Sequence, residues 1–211
     1  MSKAMELIQE TKVVAIVRGI DSKYMVDFAK ALIAGGIRCI EVTFNQASSD
    51  GSIDTLTSIR TLKETFKDEL AIGAGTVMSV EDVVRAKEAG AEYIIAPNVN
   101  EAVIRKTKEL GLISMPGALT PSEAAFAYEC GADVVKLFPA GVFGAGYVKA
   151  VVGPLNHIPF MAVGGVSAKN KNEFIEAGCI GVGVGGNLVN KKLIEEGKWK
   201  EITAFAKEYF E

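Results

Sequence analysis

Histidine is nearly missing from this chain. His157 stands alone, and the three cysteines, Cys39, Cys130 and Cys179, lie far apart with no Cys-x-x-Cys pair. A structural zinc site needs four clustered sulfur or nitrogen ligands, so that class is excluded and no metal is expected. Scattered cysteines, odd in number and set in apolar contexts, read as small buried side chains in a reducing compartment. Blocks of like charge are missing too. The net charge is −3, from 23 Lys+Arg against 26 Asp+Glu. A surface that tracks nucleic-acid phosphates clusters its Lys and Arg, so nucleic acid is not an expected partner. No apolar run is long enough to span a bilayer, so no membrane partner is expected either. The opening MSKAMELIQETK lacks the basic, apolar and small-residue succession of a signal peptide. Together these absences make the cytoplasm the expected location.

What is present is a repeat. Of the 211 residues, 49% are hydrophobic and 23% charged, and no Pro/Ser-rich linker or shift in composition divides them. One domain over residues 1–211 is expected. Short apolar runs rich in β-branched residues alternate with amphipathic stretches, which argues for βαβ units on a parallel sheet. The expected strands are Val13–Val17, Arg38–Thr43, Leu70–Gly73, Tyr93–Ala96, Leu112–Met115, Val134–Leu137, Phe160–Ala162 and Ile180–Gly183. Their nearly continuous hydrophobicity suits strands covered on both faces. Helices are expected at Lys23–Ala34, Val80–Ala89, Asn100–Leu110, Pro121–Cys130 and Ala168–Ala177, with two more pieces after Asn187 split at Gly197. Ser79 and Thr120 have the position of N-caps, and glycines close most helices. Eight strand–helix units close naturally into a single (β/α)₈ TIM barrel; an open doubly wound sheet is the alternative.

Barrel enzymes carry their chemistry at the C-terminal ends of the strands. The polar residues there are Arg18, Glu41, Thr43, Asn45, Thr76, Asn98, Thr120 and Lys136. Lys136 interrupts Val134-Val135-Lys136-Leu137-Phe138, and alternation puts it on the face opposite Val135 and Leu137. An amine in apolar surroundings is held neutral and can attack a carbonyl; the bland reading is a lysine snorkelling to water. Glu41, inside Ile40-Glu41-Val42, is a general base or a structural ion-pair partner of Arg18 or Lys136. The loops at Gly164-Gly165 and Gly185-Gly186-Asn187 follow the last two strands, where barrels bind phosphate, and the second loop is read as opening a helix. Glycines also serve tight turns. Phe138 and Pro139 either wall a carbonyl pocket or simply pack.

These residues fall into a set. Val14-Ala15-Ile16-Val17-Arg18-Gly19, Ile40-Glu41-Val42-Thr43, Gly73-Ala74-Gly75-Thr76-Val77, Met115-Pro116-Gly117, Val135-Lys136-Leu137-Phe138-Pro139-Ala140 and Gly164-Gly165-Val166-Ser167 together resemble the 2-keto-3-deoxy-6-phosphogluconate (KDPG) and 4-hydroxy-2-oxoglutarate (KHG) aldolases. The resemblance spans nearly the whole chain with its motifs in order. It implies a class I aldolase in which Lys136 forms a Schiff base to a small-molecule 2-keto acid and Glu41 shuttles protons. Arg18, Thr43, Asn45, Thr76, Phe138 and Pro139 would then bind substrate. Gly164, Gly165, Gly185, Gly186 and Asn187 would hold its phosphate. The resemblance also implies a homotrimer and no cofactor beyond the lysine imine.

The chain departs from the family pattern at three places. Asn45 stands where the family carries an arginine four residues after the glutamate, and an amide cannot form a bidentate ion pair with a carboxylate. Arg18 is the candidate replacement. Ala162-Val163 replaces Pro-Thr before the glycine pair, and Asn187 replaces a serine. Two other functions compete with the aldolase: a phosphate-binding barrel isomerase or epimerase using Glu41 as base, and a non-catalytic sugar-acid-binding paralogue.

Overall fold

A computed structural model describes residues 2–47, 52–186 and 188–211. Among them nine parallel strands form one sheet: β1 Val13–Val17, β2 Cys39–Thr43, β3 Ala71–Gly75, β4 Tyr93–Ile95, β5 Ile113–Met115, β6 Gly117–Ala118, β7 Val135–Leu137, β8 Phe160–Val163 and β9 Gly181–Val184. The strand order is β5-β4-β3-β2-β1-β9-β8-β7-β6. Its two ends, β5 and β6, are the halves of one strand around Pro116. Proline has no N–H to give a ladder, so the strand changes partner there. The first half pairs with β4 and the second with β7. Asp133 N–H and Val134 N–H bond to the Ser114 carbonyl, and Lys136 N–H to the Pro116 carbonyl, which joins the sheet's ends into a barrel. The eight expected strands are therefore present, with the fifth split. β3 runs two residues past its expected end at Gly73, because Ala74 and Gly75 continue the ladder opposite Val42 and Thr43.

The helices are α1 Lys3–Thr11, α2 Met25–Ala34, α3 Ile53–Phe66, α4 Val80–Ala89, α5 Glu101–Glu109, α6 Pro121–Glu129, α7 Ala140–Val152, α8 Lys171–Glu176, α9 Lys191–Glu195 and α10 Trp199–Lys207. Local chemistry sets their starts. The Ser79 hydroxyl accepts from Asp82 N–H, and Thr120 with Glu123 makes a reciprocal capping box. Asn170 accepts from Ser167 N–H in a turn, so α8 begins three residues later than the sequence suggests. α9 likewise begins at Lys191, capped by Asn190, and not at the glycine loop.

Period-two alternation divides the strand residues into two cores. Val13, Ala15, Ile40, Val42, Ile72, Ala74, Val135 and Leu137 pack outward beneath the helices. Val14, Cys39, Ala71, Tyr93, Ile95, Ile113, Met115, Val134 and Met161 fill the barrel together with Ala4, Leu7 and Ile8 of α1. α1 thus closes the N-terminal end of the barrel with apolar side chains. The polar chemistry is left to the other end.

Candidate active site

Lys136 and Glu41 sit between outward-facing apolar neighbours, so both side chains enter the barrel interior. Lys136 is 7% exposed and Glu41 1%. Burial pushes the Lys136 amine below its ordinary range, and the Arg18 charge adds to that effect while Glu41 opposes it. Burial pushes the Glu41 carboxyl up, against the pull of Lys136 and Arg18. The Oε2 atom of Glu41 has no hydrogen-bond partner among the described residues. A buried carboxylate oxygen left free is costly in a folded chain and is available to an incoming proton donor.

Around them lies an open cavity of about 300 Å³, walled by Ile16, Arg18, Thr76, Pro97, Phe138, Val163, Val166 and the glycines 164, 165, 183, 185 and 186. The Lys136 ammonium position is 4.9 Å from the centre of the Phe138 ring. Arg18 Nη2 donates to Thr76 Oγ1 at 2.9 Å, which fixes the guanidinium across the mouth. Thr76 itself has φ 56°, a left-handed backbone that β-branched residues avoid at a cost of about 1–3 kcal/mol. Gln46 Nε2 holds its carbonyl at 2.8 Å. Gly164 and Gly165 also have left-handed backbones, φ 86° and 76°. A Cβ on Gly164 would stand 3.0 Å from the Phe138 ring, and one on Gly165 3.0 Å from Gly141 Cα. Both positions therefore demand glycine, and bare backbone faces the cavity there.

The expected site residues divide. Lys136, Glu41, Arg18, Thr76, Phe138, Gly164, Gly165, Gly185 and Gly186 converge on one cavity. Thr43, Asn45 and Pro139 are not among the residues that wall it. Thr43 is buried and gives its hydroxyl to the Val17 carbonyl at 3.2 Å. The Asn45 side chain accepts from Ala47 N–H in a local turn, and Thr43 and Asn45 line a neighbouring cleft with Ser52, Asp54 and Thr55. Pro139 caps α7 behind Gly164. Asn187 lies outside the described residues. Pro97, Ile16 and Val163 were not expected. Pro97 follows the C-terminal end of β4, and that position could have marked it.

The rest of the sparse chemistry is inert. All three cysteines are free and buried, and burial raises the Cys39 and Cys179 thiols to about 12. His157 is exposed and meets Tyr128 edge to face. No group of three or more His, Cys, Asp or Glu among the described residues could hold a metal ion. No helix there is long and apolar enough to cross a membrane.

An amine whose affinity for a proton is lowered, a carboxyl whose affinity is raised, a cation and an apolar wall in one cavity can form and break an imine at a carbonyl. A sequence profile of the KDPG and KHG aldolases matches residues 4–205. The chain is 34% identical to the 2-dehydro-3-deoxy-6-phosphogalactonate aldolase of Escherichia coli (strain K12), over 94% of both chains. It is 32% identical to the 2-dehydro-3-deoxy-phosphogluconate aldolase of Haemophilus influenzae, over 96% of this chain and 93% of that one. Its fold is similar to the crystal structure of KDPG aldolase from Legionella pneumophila with pyruvate captured as a covalent carbinolamine intermediate. That match has a TM-score of 0.84 and 25% identity, over 98% of this chain and 97% of that one. With the matched profile covering nearly its whole length, the chain belongs to the KDPG and KHG aldolase family and is an aldehyde-lyase.

Proposed function

We propose that this single-domain barrel is a metal-independent class I aldolase that cleaves 2-keto-3-deoxy-6-phospho sugar acids, the gluconate or its C4 epimer the galactonate, to pyruvate and glyceraldehyde 3-phosphate. The observation that carries the reading is the buried Lys136 in one cavity with the glycine loops and the buried Glu41, whose Oε2 has no hydrogen-bond partner among the described residues. Glycine loops after the last two barrel strands suit a phosphate, which favours the phosphorylated acids over 4-hydroxy-2-oxoglutarate. The shorter acid, cleaved to pyruvate and glyoxylate, is the second substrate.

The chemistry proceeds as a cycle of single proton moves. Neutral Lys136 attacks C2 of the keto acid and gives a carbinolamine. Protonated Glu41 hands a proton to the C2 hydroxyl, water leaves and the iminium forms. Glu41, now a carboxylate, takes the proton of the C4 hydroxyl. The C3–C4 electron pair moves into the iminium, leaving an enamine on Lys136 and releasing the aldehyde. Glu41 returns the proton to C3 of the enamine. Water then adds to the iminium, its proton goes back to Glu41, and pyruvate departs. Each exchange needs a carboxyl that holds and loses a proton near the working pH, and burial pushes Glu41 in that direction. In this reading Arg18, tied to Thr76 at the mouth, takes the substrate carboxylate in place of Asn45, whose side chain accepts from Ala47 N–H in its own loop.

The family is typically trimeric, and we propose a homotrimer here. Exposed apolar side chains on α6 and α7 support it, with Phe126 and Phe143 at 48% and Val142 at 75%. The substrate reading is tested by steady-state kinetics on the two phosphorylated epimers and on 4-hydroxy-2-oxoglutarate, with pyruvate release as the signal. A kcat/KM at least about tenfold higher for one phosphorylated acid is expected. A higher value for 4-hydroxy-2-oxoglutarate would overturn the preference.

A further inference from the structure

Where Glu41 lies depends on what β3 lacks. Its inward positions are Ala71, Gly73 and Gly75, while Ile72 and Ala74 face the helices. A stripe this narrow leaves a trough on the barrel wall, and two large neighbours occupy it. A Cβ on Gly73 would stand 2.0 Å from Cε2 of Tyr93, and one on Gly75 would stand 1.7 Å from Oε1 of Glu41 and 2.4 Å from its Cδ. Glu41 pairs in register with Gly73, and Thr43 with Gly75. The carboxylate has therefore climbed one inward step toward the mouth, because the space at its own level holds the tyrosine ring. Tyr93 is locked there by its hydroxyl, which donates to the Ile40 carbonyl at 2.6 Å.

The chain's path does not require glycine at residue 75, whose φ is not in the left-handed region. The space does. We propose that Gly75 is a positioning residue: its missing side chain is the berth that holds the Glu41 carboxylate beside Lys136. The proposal rests on the reading of Glu41 as the proton shuttle.

Gly75→Ala puts a methyl group where Oε1 now lies, and contacts below 3 Å cannot persist, so Glu41 must move. Removing a placed acid–base group costs about 10²–10⁴-fold, so a displaced one is expected to lower kcat about 100-fold while KM stays within about threefold. The cost must vanish when there is no carboxylate to displace. In a Glu41→Ala background the same Gly75→Ala change is expected to cost less than about threefold, a coupling that a general loss of structure would not produce. Equal losses in both backgrounds, or an undiminished kcat for Gly75→Ala, would overturn the proposal. If Gly75→Ala alone does not fold, recovery of the fold in the double variant supports it, and failure of both overturns it. Borohydride trapping with pyruvate on the same proteins separates the two levels. A wild type that forms no Lys136 adduct, or a Glu41→Ala variant with normal turnover, defeats the underlying reading. An intact adduct with slow Glu41→Ala and fast Gly75→Ala defeats the positioning role by itself.

Discussion

The two ends of the barrel are built from the same strands and solve opposite problems. At the N-terminal end α1 lays Ala4, Leu7 and Ile8 over Val14, Cys39, Ala71 and Ile113, and the interior is apolar. At the C-terminal end, one inward step on from Cys39 and Val134, β2 and β7 bury Glu41 and Lys136, and Oε2 of Glu41 has no hydrogen-bond partner among the described residues. The first end lowers the free energy of the fold by shedding water from apolar surface. The second raises it, because burial takes an amine and a carboxyl out of water and shifts the proton affinity of each away from its ordinary range. Substitutions at the two ends should therefore separate stability from activity.

The largest effect is expected at Lys136. Replacing it with alanine removes the nucleophile, so turnover should fall by about 10⁴-fold or more in a pyruvate-release assay, with thermal stability retained or raised. A Lys136→Ala protein with ordinary turnover would erase the contrast. Glu41→Gln comes next, with kcat lower by about 10²–10⁴-fold. The same change should stabilise the fold. Burial holds Glu41 above its ordinary value of 4.5, so the folded protein binds that proton more tightly than the unfolded chain. Ionisation thus removes stability as the pH rises above the unfolded value. Glutamine escapes that loss, and denaturant titration should show a gain of about 1–2 kcal/mol at neutral pH that shrinks toward acid pH. At the closed end, Leu7→Ala should cost about 2–5 kcal/mol in the same titration while kcat stays near normal. The smallest effect belongs to Arg18→Ala. Losing a partly exposed charge-assisted contact should raise KM about tenfold and leave kcat within about threefold, a split that steady-state kinetics resolves.

The contrast was partly written in the sequence. Alternating apolar runs and capped helices announced the barrel, because a strand covered on both faces must be apolar throughout. Lys136 and Glu41 stood out for the same reason, as charged residues where only apolar ones are comfortable. Their arrival in one cavity with Arg18, Thr76 and the glycine loops follows from the rule that strand ends share a rim. Other features carried no such mark. The plug formed by α1 looks like any amphipathic helix. The change of partner at Pro116 depends on register, which a single strand does not encode. Thr43, Asn45 and Pro139 sit at strand ends like the others, yet local hydrogen bonds and a helix start turn them elsewhere. Ile16, Pro97 and Val163 form the wall without any distinctive chemistry of their own. Nothing in the sequence marks Gly73 and Gly75 as the space over which the Tyr93 and Glu41 side chains lie.

The central claim is that the open end of the barrel makes Lys136 a nucleophile. It is tested most directly by incubating the protein with pyruvate and borohydride, measuring the intact mass and mapping the modified peptide. The account predicts one pyruvate-sized adduct per chain, on Lys136, absent when borohydride or pyruvate is omitted. An unmodified, folded protein, or an adduct on a surface lysine such as Lys169, would contradict it.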